Sequence, residues 1–168
     1  MKKQEEQFLQ AYEEHADALF RYGFFKVNDR ELAMDLLQET YMKTWGYIAK
    51  GGKIDSIKSF LYRTLSNLVI DSYRKHKTTS LDAMSENEGF DPGFDDTEKI
   101  FDTMDGKKAV EMLSRLPESY KEVLYMKYVE DLSIEEIADI TGDSKNAVTV
   151  RIHRGMEKLR TVFNEHEK

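Results

Sequence analysis

Apolar residues recur every three or four positions in three segments of the first half of the chain, which is the spacing of helices that bury one face. The first stripe consists of Phe8, Tyr12, Ala16, Leu19 and Gly23. The second consists of Ala33, Leu36, Leu37, Thr40, Trp45 and Ile48. The third consists of Ile57, Phe60, Leu61, Thr64, Leu65, Leu68 and Val69. The pattern predicts three amphipathic helices that cover one another.

A short polar loop separates the second predicted helix from the third. In the sequence AKGGKIDS, the paired glycines Gly51 and Gly52 end one helix, and either Asp55 or Ser56 can cap the next. The loop therefore predicts a helix end and a helix start within a few residues.

The last third of the chain carries the start and stop signals of a helix-turn-helix. A helix restarts at Pro117 as a first-turn proline. Ser133 followed by Glu136 is a capping box in front of an apolar run. Gly142 supplies a turn after that short helix, and Ser144 can cap the helix that follows.

Charge divides the chain into three unlike segments. Residues 1–79 carry 13 basic and 11 acidic side chains, residues 80–110 carry 3 and 9, and residues 111–168 carry 9 and 12, so that +2, −6 and −3 sum to −7. The acidic middle has a Pro-Gly step and no sustained apolar period, which is typical of a linker. We predict an all-α protein of two small domains joined by an acidic flexible linker. The N-terminal helical domain spans residues 1–79, and the linker spans residues 80–104. The second domain, a helix-turn-helix domain of four helices, spans residues 105–168.

Composition argues against several kinds of functional site. The chain has no cysteine, which rules out disulfides, thiolate catalysis and cysteine-based zinc sites. The four histidines show no metal-ligand pairing, so no metal and no cofactor is expected. The first residues, MKKQEEQFLQ, lack the apolar run of a signal peptide, and no apolar stretch approaches membrane-spanning length. A cytoplasmic location without membrane insertion is expected.

The last predicted helix concentrates basic residues although the whole chain is acidic. Its apolar stripe consists of Val148, Ile152, Leu159 and Phe163. Its opposite face and flanks suit a DNA major groove, where Arg, Asn and His bond base edges or phosphates and Val or Thr contacts thymine methyl groups. These candidate residues are Lys145, Asn146, Thr149, Val150, Arg151, His153 and Arg154. A solvated helix face is the alternative, and the turn at Gly142 favours DNA.

The third predicted helix carries a second polar face, opposite its leucines. Its basic and amide members are Arg63, Asn67, Arg74 and Lys75. Together with Tyr62 they suit single-stranded or opened DNA, because bases stack on aromatic rings while phosphates meet basic groups. Tyr73 follows the core stripe and is predicted to be structural.

The segment DLLQET, from Asp35 to Thr40, presents a third surface. Asp35, Gln38 and Glu39 lie three and four residues apart, so a helix places them on one acidic ridge. No nucleophile or phosphate loop accompanies the two carboxylates, so protein docking is a more economical interpretation than catalysis, and no enzyme activity is expected. A plain solvated face is the alternative.

These blocks together resemble a known family. The run DRELAMDLLQETYMKTW, a Gly-containing loop, FLYRTLSNLVIDSYRK, an acidic linker and LPESYKEVLYMKYVEDLSIEEIADITGDSKNAVTVRIHRGMEKLR follow one another over nearly the whole chain. In this order and spacing they resemble bacterial sigma factors of the extracytoplasmic-function (ECF) group.

The resemblance implies roles in the first domain and the linker. The DLLQET ridge resembles the segment that grips the clamp helices of core RNA polymerase, with Asp35, Leu36, Gln38 and Glu39 as the contacts. The loop 51–59 resembles the element that captures a base flipped from the melted minus-10 strand, and the helix after it resembles the one that holds that strand. The minus-10 candidates are Lys53, Ser56, Lys58, Tyr62, Arg63, Asn67, Arg74 and Lys75. The acidic linker would thread the polymerase channel where RNA later passes.

For the second domain, the resemblance implies a module that reads the minus-35 element as duplex DNA. Arg151, His153 and Arg154 match its pattern best. Thr149 stands where the family often has lysine or arginine, and Phe60 stands where tryptophan is frequent. The loop AKGGKIDSIKSF also lacks the commoner aromatic-Arg-Gly pattern, so the sequence leaves open which base is captured.

Two other functions stay open on the sequence. A stand-alone transcriptional regulator would bind an operator through the last helix, with half-site symmetry. A helical adaptor or anti-regulator would keep a DNA-like surface without using it. For a sigma factor, promoter DNA and core RNA polymerase are the expected partners, and an anti-sigma factor is expected by analogy.

Overall fold

The computed structural model describes residues 2–79 and 104–167, and all regular structure within these two ranges is helical. The first range forms α1 (Lys2–Val27), α2 (Arg30–Ala49) and α3 (Ile57–Thr79). The second forms α4 (Met104–Leu113), α5 (Glu118–Leu124) with a π-helical turn (Tyr125–Val129), α6 (Ile134–Thr141) and α7 (Lys145–Glu167). The all-α prediction is confirmed.

The chain divides into two compact units, residues 1–94 and 95–168. The linker predicted for 80–104 lies outside the described residues, except for Met104, where α4 begins. The side chain of Phe163, predicted to belong to the apolar stripe of α7, also lies outside them. None of the described helices is both long and apolar enough to span a membrane.

The three helices of the first unit pack against one another in every pairing. Their shared centre is filled by the fully buried side chains of Leu19, Tyr22, Leu61, Tyr62, Leu65 and Val69. Full burial of one large aliphatic side chain stabilises a fold by roughly 1.5–3 kcal/mol, so this core holds the three helices together. The rings of Tyr22 and Tyr62 meet edge to face with their centroids 5.6 Å apart.

Two threonines lie on the buried face of α2 and satisfy their hydroxyls within that helix. Thr40 Oγ1 donates to the Leu36 carbonyl at 2.7 Å, and Thr44 Oγ1 donates to the Thr40 carbonyl at 2.8 Å. Because neither hydroxyl needs a partner from another helix, both fully buried positions accept a polar residue. The predicted core position of Thr40 is confirmed.

An aromatic cluster joins α1 to α2 at the edge of this core. The ring of Phe8 lies 5.3 Å from that of Trp45, and the ring of Tyr12 lies 4.6 Å from that of Tyr41. Phe8 and Tyr41 are buried, whereas Tyr12 and Trp45 are 49% and 42% exposed. Periodicity placed Tyr12 and Trp45 on buried stripes, and that prediction is wrong. They cover the rim of the cluster and keep one edge in solvent, as amphipathic rings do.

Capping side chains set the starts of α2 and α3. Asp29 Oδ1 accepts a hydrogen bond from the Leu32 amide at 3.2 Å, and Ser56 Oγ accepts one from the Ser59 amide at 3.2 Å. Such caps satisfy amides that have no partner within the helix. Of the two caps that the sequence allowed for α3, the structure uses Ser56.

In the second unit, α7 packs against α4, α5 and α6. The fully buried side chains of this unit are Val123, Leu124, Tyr125, Met126, Leu132, Ile137 and Val148. The helix α5 begins one residue later than predicted, at Glu118, with Pro117 immediately before it. Its continuation as a π-helical turn was not predicted, and Tyr125 and Met126 are buried within that turn.

The helix-turn-helix has the local signals that the sequence predicted. Ser133 and Glu136 form a capping box, with both hydrogen bonds at 3.1 Å. Gly142 ends α6 in the left-handed region at φ 82°, where a residue with a side chain is strained. Ser144 Oγ then accepts from the Ala147 amide at 3.1 Å and starts α7. These contacts fix the direction in which α7 leaves the turn.

Candidate functional site

The outer face of α7 presents most of the predicted DNA-binding residues to solvent. Val148 is fully buried on the opposite side, and Ile152 and Leu159 are half-buried. Six candidates have exposed side chains, namely Lys145, Asn146, Thr149, Val150, His153 and Arg154. This face combines donors, acceptors and apolar groups on a rigid helix, which is the chemistry that reads base edges in a major groove.

The seventh candidate, Arg151, is held differently. Its Nη1 lies 2.7 Å from Asp143 Oδ2, and the two side chains are 29% and 33% exposed. Asp143 lies in the turn between α6 and α7, so the pair ties that turn to the second turn of α7. Sequence reasoning missed this pair because the partners are eight residues apart and meet only through the shape of the turn.

Other basic side chains on α7 make looser contacts with carboxylates. Lys145 Nζ lies 3.0 Å from Glu135 Oε1, with side chains 65% and 74% exposed. His153 Nε2 lies 3.5 Å from Glu157 Oε1. Exposed pairs of this kind contribute about 0–1 kcal/mol and are easily exchanged. Within the part of the chain that the structure describes, Arg154 has no ion pair, so its guanidinium is available to a partner.

The polar face of α3 carries most of the predicted single-strand contacts. Exposed side chains there and in the preceding loop are Lys53, Ser56, Arg63, Asn67, Arg74 and Lys75, and Lys58 is half-buried. Tyr62 does not belong to this face. It is 1% exposed against Tyr22, so its prediction as a DNA contact is wrong. The sequence grouped Tyr62 with the polar face, but its ring packs inward against Tyr22 on α1.

Tyr73 lies on the exposed side instead of following the core stripe, at 50% exposure. Its hydroxyl donates a hydrogen bond to the Lys26 carbonyl at the end of α1. Its contact to α1 agrees with the structural role predicted from the sequence, whereas its exposure differs from the predicted burial. The ring is the exposed aromatic group nearest in sequence to Arg74 on this helix.

A stacked aromatic pair stands at the loop between α2 and α3. The rings of Tyr47 and Phe60 lie 5.3 Å apart at an interplanar angle of 30°. Gly52 passes so close to the Tyr47 ring that a Cβ atom at this position would overlap it. The pair thereby fixes the loop against both helices. The sequence analysis did not single out Tyr47. An aromatic residue one helical turn before paired glycines can indicate a ring that packs against the loop that follows.

The acidic ridge on α2 is exposed at Asp35, Gln38 and Glu39. Leu36 is 6% exposed and belongs to the core, so its prediction as a polymerase contact is wrong. Met42 is 74% exposed one turn beyond Gln38 and extends the ridge with an apolar side chain that was not predicted.

The ridge lies beside a polar group that has no partner. Tyr41 Oη is buried without a hydrogen-bond partner among the described residues, as is Ser59 Oγ on α3. Burial, with smaller contributions from Tyr12 and Asp17, raises the pKa of Tyr41 to about 12. The phenol therefore stays neutral further into the alkaline range than an exposed tyrosine does. In the described part of the chain, no group of three or more potential ligands could hold a metal ion.

Comparison with known proteins follows this division into two units. Residues 11–79 match sigma-70 region 2, and residues 107–159 match sigma-70 region 4. The chain is also 31% identical over 154 residues to the RNA polymerase sigma factor SigV of Bacillus subtilis. The aligned region covers 92% of this chain and 89% of SigV. The chain belongs to the ECF group of RNA polymerase sigma factors. Another relative of this sigma factor is the ECF sigma factor SigW of Bacillus subtilis, 26% identical over 95% of this chain and 90% of SigW.

Solved structures show the same fold. The sigma factor RpoE of Bartonella quintana, in complex with the anti-sigma factor NepR, has a TM-score of 0.68 at 19% identity and covers 98% of both chains. CnrH in complex with the cytosolic domain of CnrY has a TM-score of 0.67 at 21% identity, over 96% of this sigma factor and 90% of CnrH. The ridge on α2 and the polar face of α3 lie within region 2, and the outer face of α7 lies within region 4.

Proposed function

We propose that this chain binds core RNA polymerase and directs promoter-specific initiation of transcription. In this proposal the first unit captures the melted minus-10 strand, and the second unit reads the minus-35 element as duplex. The observation that carries it is the presence of sigma-70 regions 2 and 4 in one chain, each with an exposed polar face on a packed helical scaffold.

At the minus-35 element, α7 enters the major groove with its outer face. Asn146 and Arg154 hydrogen-bond base edges or phosphates there, and the methyl groups of Thr149 and Val150 contact thymine. Lys145 and His153 reach neighbouring phosphates after exchanging their exposed carboxylate partners. The capping box and the turn at Gly142 set the direction in which α7 follows α6.

At the minus-10 element, the face of α3 holds a single strand. Arg63, Arg74 and Lys75 meet its phosphates, and Asn67 hydrogen-bonds an exposed base edge. The loop with Lys53 and Ser56 receives the flipped base. We propose that the Tyr47 and Phe60 stack supports that base, since stacking on aromatic rings stabilises an unpaired base by about 1–3 kcal/mol.

The ridge of Asp35, Gln38 and Glu39 contacts polymerase, together with the exposed Met42. The net charge of −7 disfavours free binding to DNA, because an acidic protein is repelled by phosphates at long range. Once polymerase holds both units near a promoter, their effective local concentration makes two weak DNA contacts cooperate. Promoter affinity is thereby coupled to polymerase binding, and we place this activity in the cytoplasm.

We further infer that an anti-sigma factor holds the chain inactive. Support comes from RpoE and CnrH, which share its fold and whose structures contain NepR and the cytosolic domain of CnrY. Such a partner would need to cover the polymerase-binding ridge or a DNA-binding face in order to inhibit.

The test is binding of the purified chain to bacterial core RNA polymerase, followed by transcription from a genomic fragment library with and without the chain. Chain-dependent initiation at a shared sequence motif is the expected result, and it would also yield the promoter. Polymerase binding without new transcripts would instead favour a helical adaptor. Absence of polymerase binding, with a symmetric footprint on DNA by the chain alone, would indicate an operator-binding regulator.

A further inference from the structure

Arg151 and Lys145 both pair with carboxylates, but their environments differ. The pair between Arg151 and Asp143 is short, at 2.7 Å, and about two thirds of each side chain is shielded from water. The pair between Lys145 and Glu135 is longer, at 3.0 Å, and both of its side chains are mostly exposed. Shielding weakens competition from water and salt, so Arg151 is held much more firmly.

The backbone of Asp143 is held in place by the turn. Gly142 ends α6 in a left-handed conformation, and the Asp143 amide donates to Thr141 Oγ1 at 3.3 Å. Ser144 caps α7 directly afterwards. Asp143 therefore stands at the positive end of the α7 dipole, which favours its negative charge. Arg151 follows two helical turns later, within reach of this fixed acceptor.

Transfer of Arg151 to a DNA phosphate would exchange one anionic partner for another. It would also leave Asp143 charged, partly buried and without its guanidinium. An unpaired, partly buried charge is costly, and a new phosphate contact would have to offset that cost. Arg154 is exposed and has no ion pair in the described part of the chain, so it binds DNA without this loss.

We propose that the ion pair with Asp143 prevents Arg151 from contacting promoter DNA. Arg151 is then a positioning residue that fixes the turn of the helix-turn-helix to α7. This inference rests on the proposed function and concerns how region 4 discriminates among DNA sequences. Phosphate contacts add affinity for every sequence, whereas base contacts distinguish sequences. With one cation fewer for phosphates, a larger share of the affinity depends on Asn146, Thr149, Val150 and Arg154. Asp143 is thus a specificity determinant that does not contact DNA.

The test measures how promoter binding depends on salt. Core polymerase is reconstituted with the wild-type chain, with Asp143→Asn, with Arg151→Gln, or with both changes. Binding to a promoter fragment from the transcription assay, and to the same fragment with a scrambled minus-35 element, is followed over a series of salt concentrations. Each phosphate contact contributes about 0.9 to the slope of log K against log salt. Asparagine keeps the size of Asp143 and removes its charge, so the turn is disturbed as little as possible.

We expect Asp143→Asn to steepen the slope by about 0.9 and to bring the affinities of the two fragments closer together. Arg151→Gln alone leaves the slope unchanged and lowers the melting temperature, and the double variant returns to the wild-type slope. A slope that becomes shallower by about 0.9 in Arg151→Gln, or a slope that does not change in Asp143→Asn, would overturn the inference. If the wild-type polymerase complex does not prefer the intact fragment, the proposed function fails instead.

Discussion

Two buried tyrosine hydroxyls have opposite surroundings in this molecule. The hydroxyl of Tyr125 lies 3.1 Å from Glu130 Oε1, whereas that of Tyr41 has no hydrogen-bond partner in the described part of the chain. Both rings are at most 8% exposed, so the contribution of their packing is comparable. The hydrogen bond, and not the ring, therefore distinguishes the two positions energetically.

We predict that Tyr41→Phe stabilises the protein by about 1 kcal/mol, because it removes a polar atom that loses its water on folding without gaining a partner. Tyr125→Phe is the matched control. It should destabilise the protein by about 1 kcal/mol, because it deletes a hydrogen bond and leaves Glu130 Oε1 without it. Urea unfolding of both variants measures the difference, and equal effects would contradict the assignment.

The same tyrosine gives a prediction for alkaline pH. Its pKa rises from 10.0 to about 12 on folding, so between these values the unfolded chain loses a proton that the folded chain keeps. The unfolded state then binds fewer protons, and the free energy of unfolding falls as pH rises, by on the order of 2 kcal/mol. Tyr41→Phe should flatten this decline in unfolding experiments at successive pH values. An unchanged decline would show that other groups cause it.

Gly52 is required by a close approach and not by its backbone angle. We predict that Gly52→Ala destabilises the protein by roughly 1–3 kcal/mol, because its Cβ atom would displace the Tyr47 ring from Phe60. Combined with Tyr47→Ala, the loss should be less than additive, since the clash is then absent. Gly46→Ala is the control. A Cβ atom there meets nothing within 4 Å. The free energy of unfolding of this variant should therefore rise by up to about 1 kcal/mol, as measured by thermal unfolding.

At the scale of elements, the sequence predicted helices well where periodicity and caps agreed. The capping box of Ser133 and the turn at Gly142 depend on local hydrogen bonds and backbone sterics, which the residues themselves specify. The inward position of Tyr62 depends on a partner ring on another helix, which periodicity does not contain. The π-helical turn adds one residue to a helical turn without any composition signal.

The exposed ridge on α2 is the surface that we propose to contact core polymerase. Asp35→Ala combined with Gln38→Ala should weaken binding to core polymerase by about tenfold, or 1.4 kcal/mol, because exposed polar contacts at the interface are lost. The fold should persist, since exposed polar substitutions usually change stability by less than about 0.5 kcal/mol. Binding assays and circular dichroism measure the two quantities. Glu13→Ala, an exposed acidic change on α1, should leave polymerase binding unchanged.

The outer face of α7 is the surface that we propose to contact promoter DNA. Arg154→Ala should reduce promoter-specific transcription by roughly tenfold, because loss of a base or phosphate contact costs about 1–3 kcal/mol. Polymerase binding should remain as in the wild type. Arg160→Ala, another exposed change further along α7, is the control and should affect transcription much less. Equal loss of transcription and polymerase binding would mean that this face contacts polymerase.

At the scale of the whole molecule, stability and function divide along the same boundary. The ridge and the face of α3 belong to a unit in which three helices bury their own core, and α7 belongs to a unit with a separate core. Each unit therefore buries its own core beneath the surface that we propose as functional. The charge is divided differently, since residues 80–110 alone carry −6 of the net −7.

Because the first unit buries its own core, it should fold even when the chain stops soon after α3. A stop codon or frameshift in the acidic segment would leave helices α1 to α3 intact, and we expect the shortened product to fold and occupy polymerase without directing it to promoters. Such alleles would be dominant over a normal copy of the gene, whereas a stop codon within α2 would be recessive. Co-expression of each truncated form with the full chain, with transcript levels as the readout, would separate the two classes of allele.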